Sequence, residues 1–116
     1  MTVMVVDGNA EVRRVIEEVV DDLARVVCEC ATPLAALCHY GQFCPDVVVM
    51  DIGRPPRDGI WATRQIVGLH PEAVVVITTP YPDVTFQAAA AEAGARGFVL
   101  KDNLLDLRQW LQGSRA

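Results

Sequence analysis

The chain is 116 residues long, 52% hydrophobic and 22% charged, with a formal net charge of −5. That length suits one domain around one core, and the apolar content excludes an intrinsically disordered chain. The acidic balance argues against sequence-independent binding to nucleic acid or an anionic membrane, which need clustered positive charge, and leaves a protein partner or a cation open.

The chain opens on Thr2-Val3-Met4-Val5-Val6, which predicts a strand over Val3 to Val6, and an amphipathic stretch from Ala10 to Leu23 predicts the first helix. Val26 to Cys30 reads as the second strand, and Thr32 is placed to cap a helix from Pro33 to Tyr40. Pro45 precedes a third strand, Val47 to Met50, followed by a helix over Ile60 to Leu69. Pro71 precedes the fourth strand, Val74 to Ile77, and an alanine-rich helix from Val84 to Ala93 stops at Gly94. Phe98 to Leu100 and a last helix, Leu104 to Leu111, complete the pattern.

Four of the five runs are apolar on both faces, or nearly so, as strands between two helix layers must be. Strict alternation without linker, repeat or charge block predicts an α/β fold, one (βα)5 domain over residues 1–116. Its sheet is parallel and five-stranded, with helices on both faces. No apolar run nears the roughly 18 residues of a membrane span. The N-terminus carries no basic segment and no small-residue cleavage site, so the expected location is the cytoplasm. Cys28, Cys30, Cys38 and Cys44 lack the spacing of structural zinc or a disulfide framework, and are expected as buried thiols in a reducing compartment.

In such a sheet, ligands sit outside the carboxyl ends of the strands. There the chain has Asp7-Gly8-Asn9, Asp51-Ile52-Gly53, Thr78-Thr79-Pro80 and Lys101-Asp102. The first turn is neither G-x-G-x-x-G nor G-x-x-x-x-G-K-[ST], which argues against nucleotides, and the phosphate turn a flavin would want is also absent. No serine sits in a nucleophile elbow, and His39 and His70 fall on helical stretches away from the strand ends. A carboxylate can itself attack a phosphoryl group, given a cation, a lysine and a hydroxyl around the transferring oxygens. Asp51, Lys101 and Thr79 suit those roles; the plainer reading is an internal Asp51–Lys101 salt bridge.

Three segments resemble one family, the receiver domains of two-component response regulators. Asp51-Ile52-Gly53-Arg54-Pro55-Pro56-Arg57-Asp58-Gly59 is similar to D-x-x-M-P-x-x-D-G. Gly94-Ala95-Arg96-Gly97-Phe98-Val99-Leu100-Lys101 is similar to G-A-x-G-[YF]-[LV]-x-K, and the opening Val6-Asp7 with Arg13 is similar to V-D-D-x-x-x-x-R. The resemblance implies the flavodoxin-like strand order 2-1-3-4-5. It implies that Asp51 accepts a phosphoryl group from a sensor histidine kinase or phosphotransfer protein, and that Lys101 contacts that group. Thr79 and Phe98 would be the switch pair, and Asp7, Asp51 and the backbone carbonyl of Gly53 would hold Mg²⁺. The only chemistry implied is self-catalysed transfer to Asp51 and its hydrolysis. An output domain or partner protein would dock on the face of the fourth helix, fifth strand and last helix, where a homodimer could also form. No direct nucleic-acid or membrane contact is implied. The Lys101-Asp102 ending resembles receivers attached to helix-turn-helix output domains.

The chain departs from the pattern at three places. Gly8 stands where the family has the acid that ligates the metal directly, so Mg²⁺ binding is expected to be weak or absent. Arg54 replaces the usual Met, either as a guanidinium that partly substitutes for the metal or as a solvated loop residue. Pro80 and Pro82 stiffen the loop that must move. Two functions follow: a phosphorylated receiver, or a phosphorylation-independent interaction module with the same fold.

Overall fold

The computed structural model describes residues 1–113; the expected domain end at residue 116 lies outside them. Five strands, β1 (Thr2–Val6), β2 (Arg25–Cys30), β3 (Val47–Asp51), β4 (Val75–Thr79) and β5 (Gly97–Leu100), form one sheet in the order β2-β1-β3-β4-β5. All neighbouring pairs are parallel, as the alternating pattern requires. The helices are α1 (Ala10–Val20), α2 (Pro33–Phe43), α3 (Gly59–Leu69), α4 (Val84–Ala93) and α5 (Leu107–Gly113).

Alternation along the strands sorts the core into two layers. Met4, Val6, Val48, Met50 and Ile77 face α2, α3 and α4, where Ala36, Tyr40, Ala62, Ile66 and Ala90 meet them. Val3, Val5, Val47, Val49 and Val76 face Ile16 and Val20 of α1 and Leu107 and Leu111 of α5. Burial on both faces explains why the strands read as continuous apolar runs. Arg108 ties α5 to α1, donating to the Val19 carbonyl at 2.9 Å and to Asp22 at 2.6 and 3.0 Å.

Helix caps lie where the sequence points to them. Thr32 Oγ1 accepts from the Ala35 amide at 3.1 Å, and Gly94 closes α4 in a left-handed conformation. Asp83 caps α4, accepting from the Thr85 and Phe86 amides.

Several boundaries differ from the sequence reading. Helix α1 ends at Val20 rather than Leu23, because the Leu23 and Ala24 amides both turn back to the Val20 carbonyl. Strand β4 runs on through Thr78 and Thr79, whose amide and carbonyl groups continue the ladders to β3 and β5. The last helix begins as a 3₁₀ segment, Lys101–Asp106, itself broken at the non-helical Asn103 (φ −129°), and continues as α5.

Only Cys30 of the four cysteines is buried. Cys28 is intermediate, and Cys38 and Cys44 are exposed, on α2 and at its left-handed C-cap. Trp61 packs against the α2–α4 core, with the Arg57 guanidinium 5.9 Å from its ring centre.

Candidate functional site

The reversal of strand order falls between β1 and β3, and the polar cluster forms at their carboxyl ends. Asp51 is the last residue of β3, Asp7 follows β1, and Lys101 follows β5. The Lys101 ammonium bridges the two acids, at 2.7 Å from Asp7 Oδ2 and 2.8 Å from Asp51 Oδ1. Burial works against that charge, but the hydrogen bonds to Asp51 and Asp7 overcome it and hold the ammonium above its ordinary pKa.

The two carboxylates differ in environment. Asp7 is 3% exposed and fully engaged. Its Oδ1 accepts from the Asn9 amide at 2.8 Å, and its backbone carbonyl accepts from Arg13 Nη1 at 2.7 Å, while Arg13 Nε pairs with Glu29 at 3.0 Å. The Asp51 side chain is 19% exposed and lines an open cleft of about 540 Å³. This is the acid that an incoming group can reach.

Asp51 is held from behind by the start of α3. The Gly59 amide donates to the Ile52 carbonyl at 2.6 Å, and a Cβ on Gly59 would collide with the Asp51 carbonyl oxygen. Glycine is the residue that allows this approach. Asp58 caps the helix by accepting from the Trp61 amide at 2.8 Å. The intervening turn passes through Gly53 in the left-handed region (φ 65°).

The expected residues divide into two groups. Asp7, Asp51 and Lys101 touch, and Gly53 lines the same cleft. Thr79 and Phe98 stand apart from them. Register sets Asp51 opposite Thr78, and Thr79, fully buried, accepts from the Tyr81 amide at 3.2 Å. Phe98 packs against the α2–α4 core and borders two cavities, of about 190 and 300 Å³, beside α4. The sequence reading missed Arg57 and Tyr81, which line the cleft with Arg54 and Pro80. The spacing Arg54-Pro55-Pro56-Arg57 signals one loop carrying two cations, yet it does not say which way the loop folds.

The residues present do not fit a dedicated Mg²⁺ site. Mg²⁺ requires near-octahedral oxygen ligands and prefers anionic ones. Gly8 offers no side-chain ligand, both Asp7 oxygens are already bonded, and what remains is Asp51 with the Gly53 carbonyl. Among the described residues no three His, Cys, Asp or Glu side chains converge to hold a metal. Arg54, Arg57 and Lys101 already line the cleft with positive charge.

Comparison with known proteins agrees with the fold. The family model for the response regulator receiver domain matches residues 3–112. The chain is 30% identical over 99 residues to the chemotaxis protein CheY of Halobacterium salinarum, covering 85% of this chain and 82% of that one. It is 39% identical over 116 residues to a protein-glutamate methylesterase/protein-glutamine glutaminase of Xanthomonas euvesicatoria, covering 96% of this chain and 32% of the relative. The chain thus spans about a third of the length of that relative, and of several other curated relatives. Among solved structures, a LuxR-family two-component response regulator from Aurantimonas superposes with a TM-score of 0.86 at 32% identity, over 97% of this chain and 85% of that one. Receiver domains are generally non-enzymatic, typically bind Mg²⁺, and interact with histidine kinases or phosphotransfer proteins and with output domains. No described helix is long and apolar enough to cross a membrane. By its motifs, its sheet order and this match, the chain belongs to the response regulator receiver domain family of two-component signalling.

Proposed function

We propose that this domain accepts a phosphoryl group on Asp51 from a phosphohistidine of a sensor kinase or phosphotransfer protein, in the cytoplasm, and relays it as a conformational change. The observation that carries the reading is Asp51 itself, a part-exposed carboxylate on a cleft with a lysine ammonium 2.8 Å away. An Asp51 oxygen attacks phosphorus, the P–N bond of the phosphohistidine breaks, and its electron pair leaves with the imidazole nitrogen. Lys101 then exchanges its bond to Asp51 for one to the new phosphoryl oxygens.

The switch follows from what Thr79 would give up. Its hydroxyl serves the Tyr81 amide at 3.2 Å, and turning to the phosphoryl group releases that amide and draws in the β4–α4 loop. Phe98 then moves towards the space vacated beneath α4, altering the α4–β5–α5 face that an output segment or partner protein reads. Incubation of the chain with phosphoramidate and Mg²⁺, followed by intact-mass spectrometry, tests the acceptor. One phosphoryl adduct that is lost in Asp51→Asn is expected. No adduct, while a conventional receiver is labelled alongside, refutes the reading and leaves a phosphorylation-independent interaction module.

A further inference from the structure

The cleft carries more positive charge than a metal-dependent acceptor calls for. Arg54, Arg57 and Lys101 line it together with Asp51, and the other carboxylate, Asp7, lies buried behind the lysine. Neither Arg54 nor Arg57 is paired with a carboxylate among the described residues. Both are exposed, and the Arg57 guanidinium lies over the face of Trp61.

We infer that this cleft accepts its phosphoryl group without a divalent cation, the guanidinium groups of Arg54 and Arg57 acting with Lys101 in the metal's place. This rests on Asp51 being the acceptor. Three physical arguments support it. A transferring phosphoryl group spreads negative charge over its three equatorial oxygens, and catalysis consists of positioning and offsetting that charge. A guanidinium presents paired N–H donors that match phosphoryl oxygens two at a time, and it needs no dehydration comparable to that of Mg²⁺. A divalent ion entering here would meet a cleft lined by three cations and would lack the acidic ligand that Gly8 does not supply.

The prolines between the arginines work in the same direction. Pro55 and Pro56 fix two backbone angles in the loop, so less freedom is lost when both guanidinium groups close on one ligand. With phosphoramidate as donor the step balances: an Asp51 oxygen bonds to phosphorus, the P–N bond breaks, and neutral ammonia leaves.

The test is intact-mass spectrometry of the chain with phosphoramidate, in Mg²⁺ and in EDTA, beside a conventional receiver that labels only with metal. The expected result is labelling of Asp51 in EDTA at a rate close to that in Mg²⁺. Arg54→Gln with Arg57→Gln should slow labelling in EDTA by about 10-fold or more, while Arg54→Lys with Arg57→Lys, which keeps charge but not the fork, restores part of it. Labelling that requires Mg²⁺ overturns the inference and leaves Asp51 as acceptor. Labelling in EDTA at an unchanged rate in the Gln variant overturns the part given to the arginines. No labelling of this chain under either condition, with the control labelled, overturns the acceptor reading and the inference with it.

Discussion

Replacing Lys101 by Met keeps the hydrophobic stem and removes the charge that bridges Asp7 and Asp51. The Asp7 carboxylate, 3% exposed, is then left with a single amide donor on one oxygen, and with Asp51 nearby carrying the same charge. Breaking a fully buried pair by removing one partner costs about 3–5 kcal/mol. Here the lysine and Asp51 side chains are 22% and 19% exposed, so water screens part of the loss. The lower end of that range, about 3 kcal/mol, is the expected destabilisation, or roughly 12 °C in Tm for a domain of this size. Urea unfolding followed by circular dichroism reads it directly. Asp7→Asn in the Lys101→Met background should recover at least about 1 kcal/mol, because it removes the stranded charge. A Lys101→Met variant within about 0.5 kcal/mol of the parent at neutral pH would show that the bridge holds nothing together.

Three further outcomes are expected. Gly8→Asp restores the missing acid with little strain, since a Cβ there meets only the Ala31 carbonyl, at 3.5 Å. It should tighten Mg²⁺ by about 10-fold or more in calorimetric titration, and an unchanged affinity contradicts the account of Gly8 given above. Gly59→Ala should cost roughly 2–3 kcal/mol, as its Cβ runs into the Asp51 backbone; Gly68→Ala, in open space on α3, should add up to about 1 kcal/mol. Equal urea midpoints for the two variants would refute that assignment. Stability should also fall as pH rises above about 9. Burial, with the hydrogen bond to Cys28, pushes the Cys30 thiol up from 9.0 to about 12, so the unfolded chain ionises first; Tyr40 and Lys101, also raised, add to the loss higher up. Cys30→Ala should flatten the first part of that decline in urea midpoints measured between about pH 8 and 11, and an unmoved parent midpoint over that range contradicts it.

Much of the fold was legible because burial on both faces leaves a plain mark. Val3 to Val6 and Val47 to Met50 read as strands from composition alone, and Thr32 and Gly94 mark helix ends by chemistry each position requires. Boundaries were less legible where backbone bonding decides them. Thr78 and Thr79 read as loop by residue type, yet the ladder to β3 and β5 carries them into β4. Leu23 looks like one more apolar helical residue until the chain turns back on the Val20 carbonyl. Cys38 and Cys44 were misjudged because a thiol's hydrophobicity gives no preference for one side of a helix over another.

The site divides in the same way. Asp7, Asp51 and Lys101 were legible because each follows a strand, and parallel strands bring their carboxyl ends to one edge whatever the helices do between them. What no strand position dictates is the balance of charge in the cleft, because that is decided by the β3–α3 and β4–α4 loops. An arginine in a loop reads as solvated until the loop is seen to border the same cleft as the carboxylate, and here two of them line it with Lys101. A single missing acid at Gly8 would then be a defect only if the cleft had been built for a cation. With Asp7 saturated by Lys101 and Asn9, and with neither guanidinium group paired with a carboxylate among the described residues, the same glycine instead removes a negative charge that an incoming phosphoryl group would have had to meet.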